Sequence, residues 1–222
     1  MKSALVFVLL SVQLSLAAAQ VSWNCGPLEN GYGPYDYRKE RTGKLPIVDG
    51  AHFTPEVETL IRGHTAVHPG GDIDYTLRAS PNHHRALAAM ARLTERGDGI
   101  QPRNMRYSAD CWFLRGIRFA ADDPVVRLLY AQHLMRVKRP ADAIKQLQGL
   151  EALQPPEALT WINLALLYAE LGRFEEARNC AERARTLGLE REALTARLAG
   201  EGFPLRAPEA ASAVAPAASD RP

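Results

Sequence analysis

Charge of one sign is missing from this 222-residue chain: 27 lysines and arginines stand against 25 acids, and no basic run occurs. That balance argues against a nucleic-acid binder, which needs a basic face. Cysteine is scarce, at three residues, so a disulfide-dense scaffold is excluded. Zinc-type spacings are also missing: there is no Cys-x-x-Cys and no His-Glu-x-x-His. Of the six histidines, His83 and His84 are adjacent and point to different sides of a helix. His64 and His68 have helical spacing, but Pro69-Gly70-Gly71 follows, and proline disfavours helix at the residue before it. Three or four converging ligands are needed for zinc, so no metal site and no cofactor is expected. No glycine-rich phosphate loop and no nucleophile elbow appears, and the chain reads as a non-enzyme. Past Leu16, no apolar run approaches the roughly 20 residues of a membrane-spanning helix.

What the chain does have begins with a leader. Lys2 precedes a mostly apolar run over Ala4–Leu16, and Ala17-Ala18-Ala19 supplies a small-x-small cleavage pattern. That order describes a signal peptide over residues 1–19. Export, to a periplasm or as secretion, places the cysteines in an oxidising compartment. Cys25 lies in a Gly/Pro/Tyr-rich stretch and Cys111 in an apolar helical run. A Cys25–Cys111 bridge tying the two is the expected pairing, although spacing alone does not dictate it. It would close a loop of about 85 residues, contributing up to about 4 kcal/mol in the chain-entropy model. Cys180 is then left over as a small core residue.

Residues 20–79 read as an irregular N-terminal arm with one short helix. Asn30-Gly31, Gly33-Pro34 and Gly43 are turn signals, and Trp23, Tyr32, Tyr35 and Tyr37 supply rings to dock the arm. Thr54-Pro55 opens the short helix, with Val57, Leu60 and Ile61 on one face. Ile73, Tyr75 and Leu77 alternate with polar residues, which predicts a short extended piece. Ser80 and Pro81 are expected to cap and open the next helix, whose apolar face is Leu87, Met90, Ala91 and Leu93. From Pro204 to residue 222 the chain is mostly Pro, Ala and Ser, the composition of a disordered tail.

Between them, residues 80–203 are organised by a period. Trp161, Leu164, Ala165, Tyr168, Ala177, Ala181 and Ala184 form one set, and Arg127, Tyr130, Ala131, Leu134, Ala143, Leu147 and Leu150 form another, offset by 34 throughout. Ala88 lies 43 before Ala131, whereas Ala109 lies 34 before Ala143, so a first unit carries nine extra residues within Arg96–Tyr107. Asp123-Pro124 opens the second unit and Pro155-Pro156 the third, and a helix with Leu194 and Leu198 closes the array. The fold class is therefore all-α, a short array of helical hairpins with an irregular arm.

Residues 158–191 resemble a tetratricopeptide repeat: Trp161-x-x-Leu164-Ala165-x-x-Tyr168, Gly172, Phe174, Ala177, Ala181 and Ala184 fall in that family's order. Residues 124–157 look like a weaker copy with Arg127 at the tryptophan position, and 81–123 like a degenerate one. The resemblance implies that the first helix of each unit lines a concave groove. Carried over by position, that face is Val125, Leu128, Gln132, Met135 and Arg136, then Leu159, Ile162, Leu166 and Glu170. It implies a protein or peptide partner; together with the leader, the expected role is a non-enzymatic periplasmic adaptor for an envelope, secretion or transport partner. Occlusion of the groove by the arm is the competing expectation. The alternative function is a small-ligand or enzymatic pocket on residues 21–79, formed by His52, His64, Asp72, Asp74 and His83. Arg103, Arg106, Arg115 and Arg118 would be either a solvated helix face or an anionic-polymer site.

Overall fold

The computed structural model describes residues 25–98 and 100–207. The leader, Trp23 and residues 208–222 lie outside them. Eleven α-helices follow in order: α1 (Tyr37–Glu40), α2 (Leu45–His52), α3 (Pro55–Glu58), α4 (Pro69–Ala79), α5 (His84–Leu93), α6 (Ala109–Phe119), α7 (Pro124–Arg136), α8 (Pro140–Glu151), α9 (Ala158–Glu170), α10 (Phe174–Thr186) and α11 (Glu192–Gly200). Among the described residues there is no strand. The architecture is an all-α helical repeat array.

Helices α7 with α8 and α9 with α10 form tight hairpins across three-residue turns. Their interfaces are the residues that set the period. Ala131, Ala143, Leu147 and Leu150 are fully buried in one hairpin, and Leu164, Ala165, Ala177 and Ala184 in the other. Small residues at 131, 143, 165 and 177 let the backbones approach, while Trp161 and Tyr168 fill the remaining space. Indole Nε1 of Trp161 donates to the Pro155 carbonyl at 2.7 Å. At the equivalent position the Arg127 guanidinium lies beside Gly149, where a Cβ would come within 3.0 Å of its Nη1. The repeat also governs the turns. Asn104, Lys138 and Gly172, spaced by 34, have φ of 61°, 62° and 70°, and Gln154 and Gly188, again 34 apart, have 47° and 87°. The degenerate first unit thus keeps the turn geometry of the regular ones, and its extra residues fall between α5 and Asn104.

Side-chain caps hold five of the eleven helix starts among the described residues. The Asp123 carboxylate accepts from the Val125 amide at 3.1 Å, with Pro124 in the first turn. The expected start at Ser80–Pro81 is corrected: α5 begins at His84, where the His83 ring Nδ1 accepts from the Ala86 amide at 3.1 Å. Asn82 is fully buried and holds the preceding turn, accepting from the Tyr37 amide and donating to Asp36 and Asp123.

The N-terminal region departs most from expectation. The irregular arm contains α1 to α4, and the extended piece expected over Ile73–Leu77 is the helix α4. Its alternation misleads because Asp72, Asp74 and Thr76 are buried along with Ile73 and Leu77. Pro69 occupies the first turn, and the His68 ring accepts from the Gly70 amide at 3.1 Å. Phe53, Val57, Leu60, Ile73 and Leu77 join the same core that runs through to Leu198, so this region extends the array. A smaller core holds Tyr37, Leu45, Val48 and Ala79, with Tyr32, Tyr35 and Tyr75 against it.

Cys25 and Cys111 are disulfide-bonded, and Cys180 is free and buried. Beside the bridge, Arg115 is 1% exposed and is not part of a solvated face. Its Nη1 donates to the carbonyls of Cys25 and Pro27 at 2.8 and 2.6 Å, with Gly26 at 3.3 Å. Burial pushes its pKa down, and the rings of Tyr107 and Trp112 flank the cation. Arg103, Arg106 and Arg118 remain exposed. At the other end, residues 204–207 do not begin a free tail: Leu205 packs on the core, and Arg206 pairs with Glu175 and Glu182 of α10.

Candidate functional site

The face singled out on the first helices divides into covered and open parts. On α7, Leu128 is buried, Val125 and Met135 are half-buried, and Gln132 and Arg136 are exposed. On α9, Ile162 is buried, Leu166 half-buried, and Leu159 and Glu170 exposed, with Leu159 at 52%. Leu128 and Ile162 are core residues, so the surface available to a partner is made by the other seven. Arg136 Nη1 donates to Glu95 Oε1 at 2.7 Å, which ties the rim to the segment after α5.

The first unit is different. Its equivalent positions, 43 residues before those of α7, are Asn82, Arg85, Ala89, Arg92 and Leu93. The chain itself buries Asn82, Ala89 and Leu93 and pairs with Arg85 and Arg92, of which Arg85 stays exposed. Glu58 at the end of α3 pairs with Arg85, and the Glu58 carbonyl accepts from Arg92 at 2.6 Å. One turn on, Arg96 donates to the Leu60 carbonyl at 3.1 Å. Ala89 and Val57 are fully buried. Between α5 and α7 a small hollow of about 160 Å³ remains, walled by Ala88, Ala91, Arg92, Leu129, Gln132 and Arg136. The inserted segment forms a second cavity, about 430 Å³, with Thr94 and Ile100 facing Ala109, Asp110, His133 and Val137.

Residues 158–188 match the family model for the tetratricopeptide repeat. The chain contains a tetratricopeptide repeat. It has no match among the curated proteins, and none among the solved structures. A tetratricopeptide repeat points to protein–protein interaction. The matched segment is α9 and α10, so Leu159, Leu166 and Glu170 lie on its first helix, and Met135 and Arg136 at the corresponding face of the preceding hairpin.

The polar pocket expected from His52, His64, Asp72, Asp74 and His83 is not assembled. Asp72 and His52 do meet, Nδ1 to Oδ1 at 3.0 Å. Asp74 instead accepts from Arg78 at 2.9 Å and from the Arg106 amide at 2.8 Å. His83 faces Asp49 at 3.0 Å, and His64 contributes only its amide, to Asp72. No cluster of three or more His, Cys, Asp or Glu fit for a metal exists among the described residues. His52 is no relay either: the same nitrogen faces both Asp72 and the Thr65 hydroxyl, so no proton passes through the ring between them.

Sequence reasoning missed two features. One is Arg115, which sits one turn after Cys111 on α6; once Cys111 is bridged to the arm, that spacing places Arg115 under the arm as well. The other is a buried network between the repeat hairpins. Tyr168 donates to Glu151 Oε2 at 3.0 Å and the Cys180 thiol to Oε1 at 3.1 Å. Burial, with the Glu151 carboxylate, pushes the thiol far above its usual range.

Proposed function

We propose that this protein is a non-enzymatic adaptor of the cell envelope that holds a partner polypeptide along α7 and α9. The observation that carries this reading is the uneven covering of one face: α3 covers much of it on α5, while Gln132, Met135, Arg136, Leu159, Leu166 and Glu170 stay accessible. Half-buried Met135 and Leu166 supply apolar contact, and Gln132, Arg136 and Glu170 fix orientation, a combination suited to an extended peptide or a helix. Export to an oxidising compartment, the periplasm, is part of the proposal. It is supported by the leader pattern of residues 1–19 and by the Cys25–Cys111 bridge.

A photo-crosslinking side chain placed at Leu159 in the producing cells should give a discrete adduct. The same group at Lys145, on α8, should not. Met135→Glu should abolish the Leu159 adduct while circular dichroism stays that of the parent. Equal adducts from both positions, or an adduct indifferent to Met135→Glu, would remove the basis for a groove.

A further inference from the structure

Away from the groove, an open pocket of about 120 Å³ lies between α2 and α4, lined by Tyr32, Ile47, Val48, Ala51, His52 and Tyr75. It borders the smaller core, and none of its lining residues belongs to the repeat hairpins. Its polar wall is unusually well fixed. The His52 ring stacks on Tyr75 with centroids 3.8 Å apart and planes at 23°. Asp72, itself fully buried, takes the amides of His64, Thr65 and Ala66, the Thr65 hydroxyl and His52 Nδ1. Burial opposes its charge, but this set of donors, led by the Thr65 hydroxyl, holds the carboxyl below its usual range.

A carboxylate at Nδ1 places the imidazole proton there. Thr65 gives its own proton to Asp72, so its oxygen also presents a lone pair to Nδ1. In the neutral ring that tautomer leaves Nε2 as an acceptor, and no described residue partners it. The Tyr32 hydroxyl, by contrast, is used, donating to the Lys44 carbonyl at 3.0 Å. No Lys, Arg, Asp or Glu lines the pocket, which selects a neutral occupant. Its volume suits one six-membered ring, since a dry cavity of about 150 Å³ accepts benzene. An indole is larger, and a purely aliphatic group would leave Nε2 without a donor.

We propose that this pocket binds a phenol ring, with its hydroxyl donating to His52 Nε2 and its ring against Val48, Ala51 and Tyr32. The ring belongs either to a tyrosine of a partner polypeptide or to a free phenolic molecule. The site is independent of the face on α7 and α9, and either can fail without the other.

The test is an NMR titration of the full chain with p-cresol, reading the His52 and Tyr75 ring signals, beside 4-methylanisole, which has the same ring but no O–H. Saturable shifts with p-cresol are expected, with 4-methylanisole about five-fold weaker, the fold-change one neutral hydrogen bond is worth. His52→Phe keeps the stack on Tyr75 but removes the acceptor, and should bring the two probes to the same affinity. Ala51→Leu fills the pocket and should abolish both titrations, with thermal unfolding confirming that each variant is folded. Absent shifts with p-cresol overturn the proposal, as does equal binding of both probes to the parent or an undiminished preference in His52→Phe. N-acetyltyrosinamide separates the sources: binding comparable to p-cresol assigns the ring to a polypeptide, and exclusion with p-cresol retained assigns it to a free phenol.

Discussion

Exchanging Lys138 and Gly172 measures how strongly the repeat governs its own turns. The two residues are 34 apart, follow α7 and α9, and share a left-handed backbone with φ of 62° and 70°. In each turn the next amide folds back onto the preceding helix, Arg139 to the Leu134 carbonyl at 2.8 Å and Arg173 to Tyr168 at 2.9 Å. A side chain in this region costs roughly 1–2 kcal/mol. Glycine returns about 0.5–1 kcal/mol through the entropy of the unfolded chain. Lys138→Gly should therefore stabilise by about 0.5–1 kcal/mol, and Gly172→Lys should destabilise by a similar amount. For a chain of this size that is about 1–4 °C in the unfolding midpoint. The comparison is clean because a Cβ at Gly172 would meet nothing within 4 Å, so only the backbone conformation is tested. Thermal unfolding followed by circular dichroism, with urea titration as a check, reads both variants. A lower midpoint for Lys138→Gly, or an unchanged one for Gly172→Lys, would show that the shared φ does not carry the energy assigned to it.

Trp161→Ala removes a ring that is 4% exposed and bonded to Pro155; calorimetry should show a loss of about 3–5 kcal/mol, and a loss below 1 kcal/mol would mean the hairpins do not depend on that ring. Cys180 should resist iodoacetamide at pH 8 in the folded protein and react on unfolding, since it is buried and its thiol is pushed up by burial and by Glu151; mass spectrometry of the native protein decides this. Asp72→Asn should weaken the 63–66 segment at neutral pH and blunt the acid limb of stability. The folded carboxyl lies below the usual 3.8, so its contribution is complete above that value and fades as pH falls through the folded value. The gap between parent and variant should thus narrow below about pH 4, and a constant gap would rule out the charge as its source.

Much of the repeat region was legible because its determinants are local. The offset of 34 between the two sets of interface residues reflects helix against neighbouring helix, and a short connection lets the sequence register carry that packing. The Asp123-Pro124 start and the closing helix with buried Leu194 and Leu198 follow from the same short-range logic. The Cys25–Cys111 bridge was legible for a different reason: an irregular segment and an apolar helix each offered one cysteine to join.

What the sequence determined by itself is the array: hairpins in the phase set by Ala131, Ala143, Ala165 and Ala177. Only the tertiary structure decided how residues 25–83 fold and which part of the groove is free. Binary patterning assumes that polar residues face water, but Asp72, Asp74, Asn82 and His83 are buried and satisfied by partners outside their own helical turn, and Thr76 by the Asp72 carbonyl. Their alternation therefore read as extended chain where a helix stands. The covering of α5 by α3 rests on Glu58 meeting Arg85 and Arg92, contacts between elements about thirty residues apart that no periodicity announces.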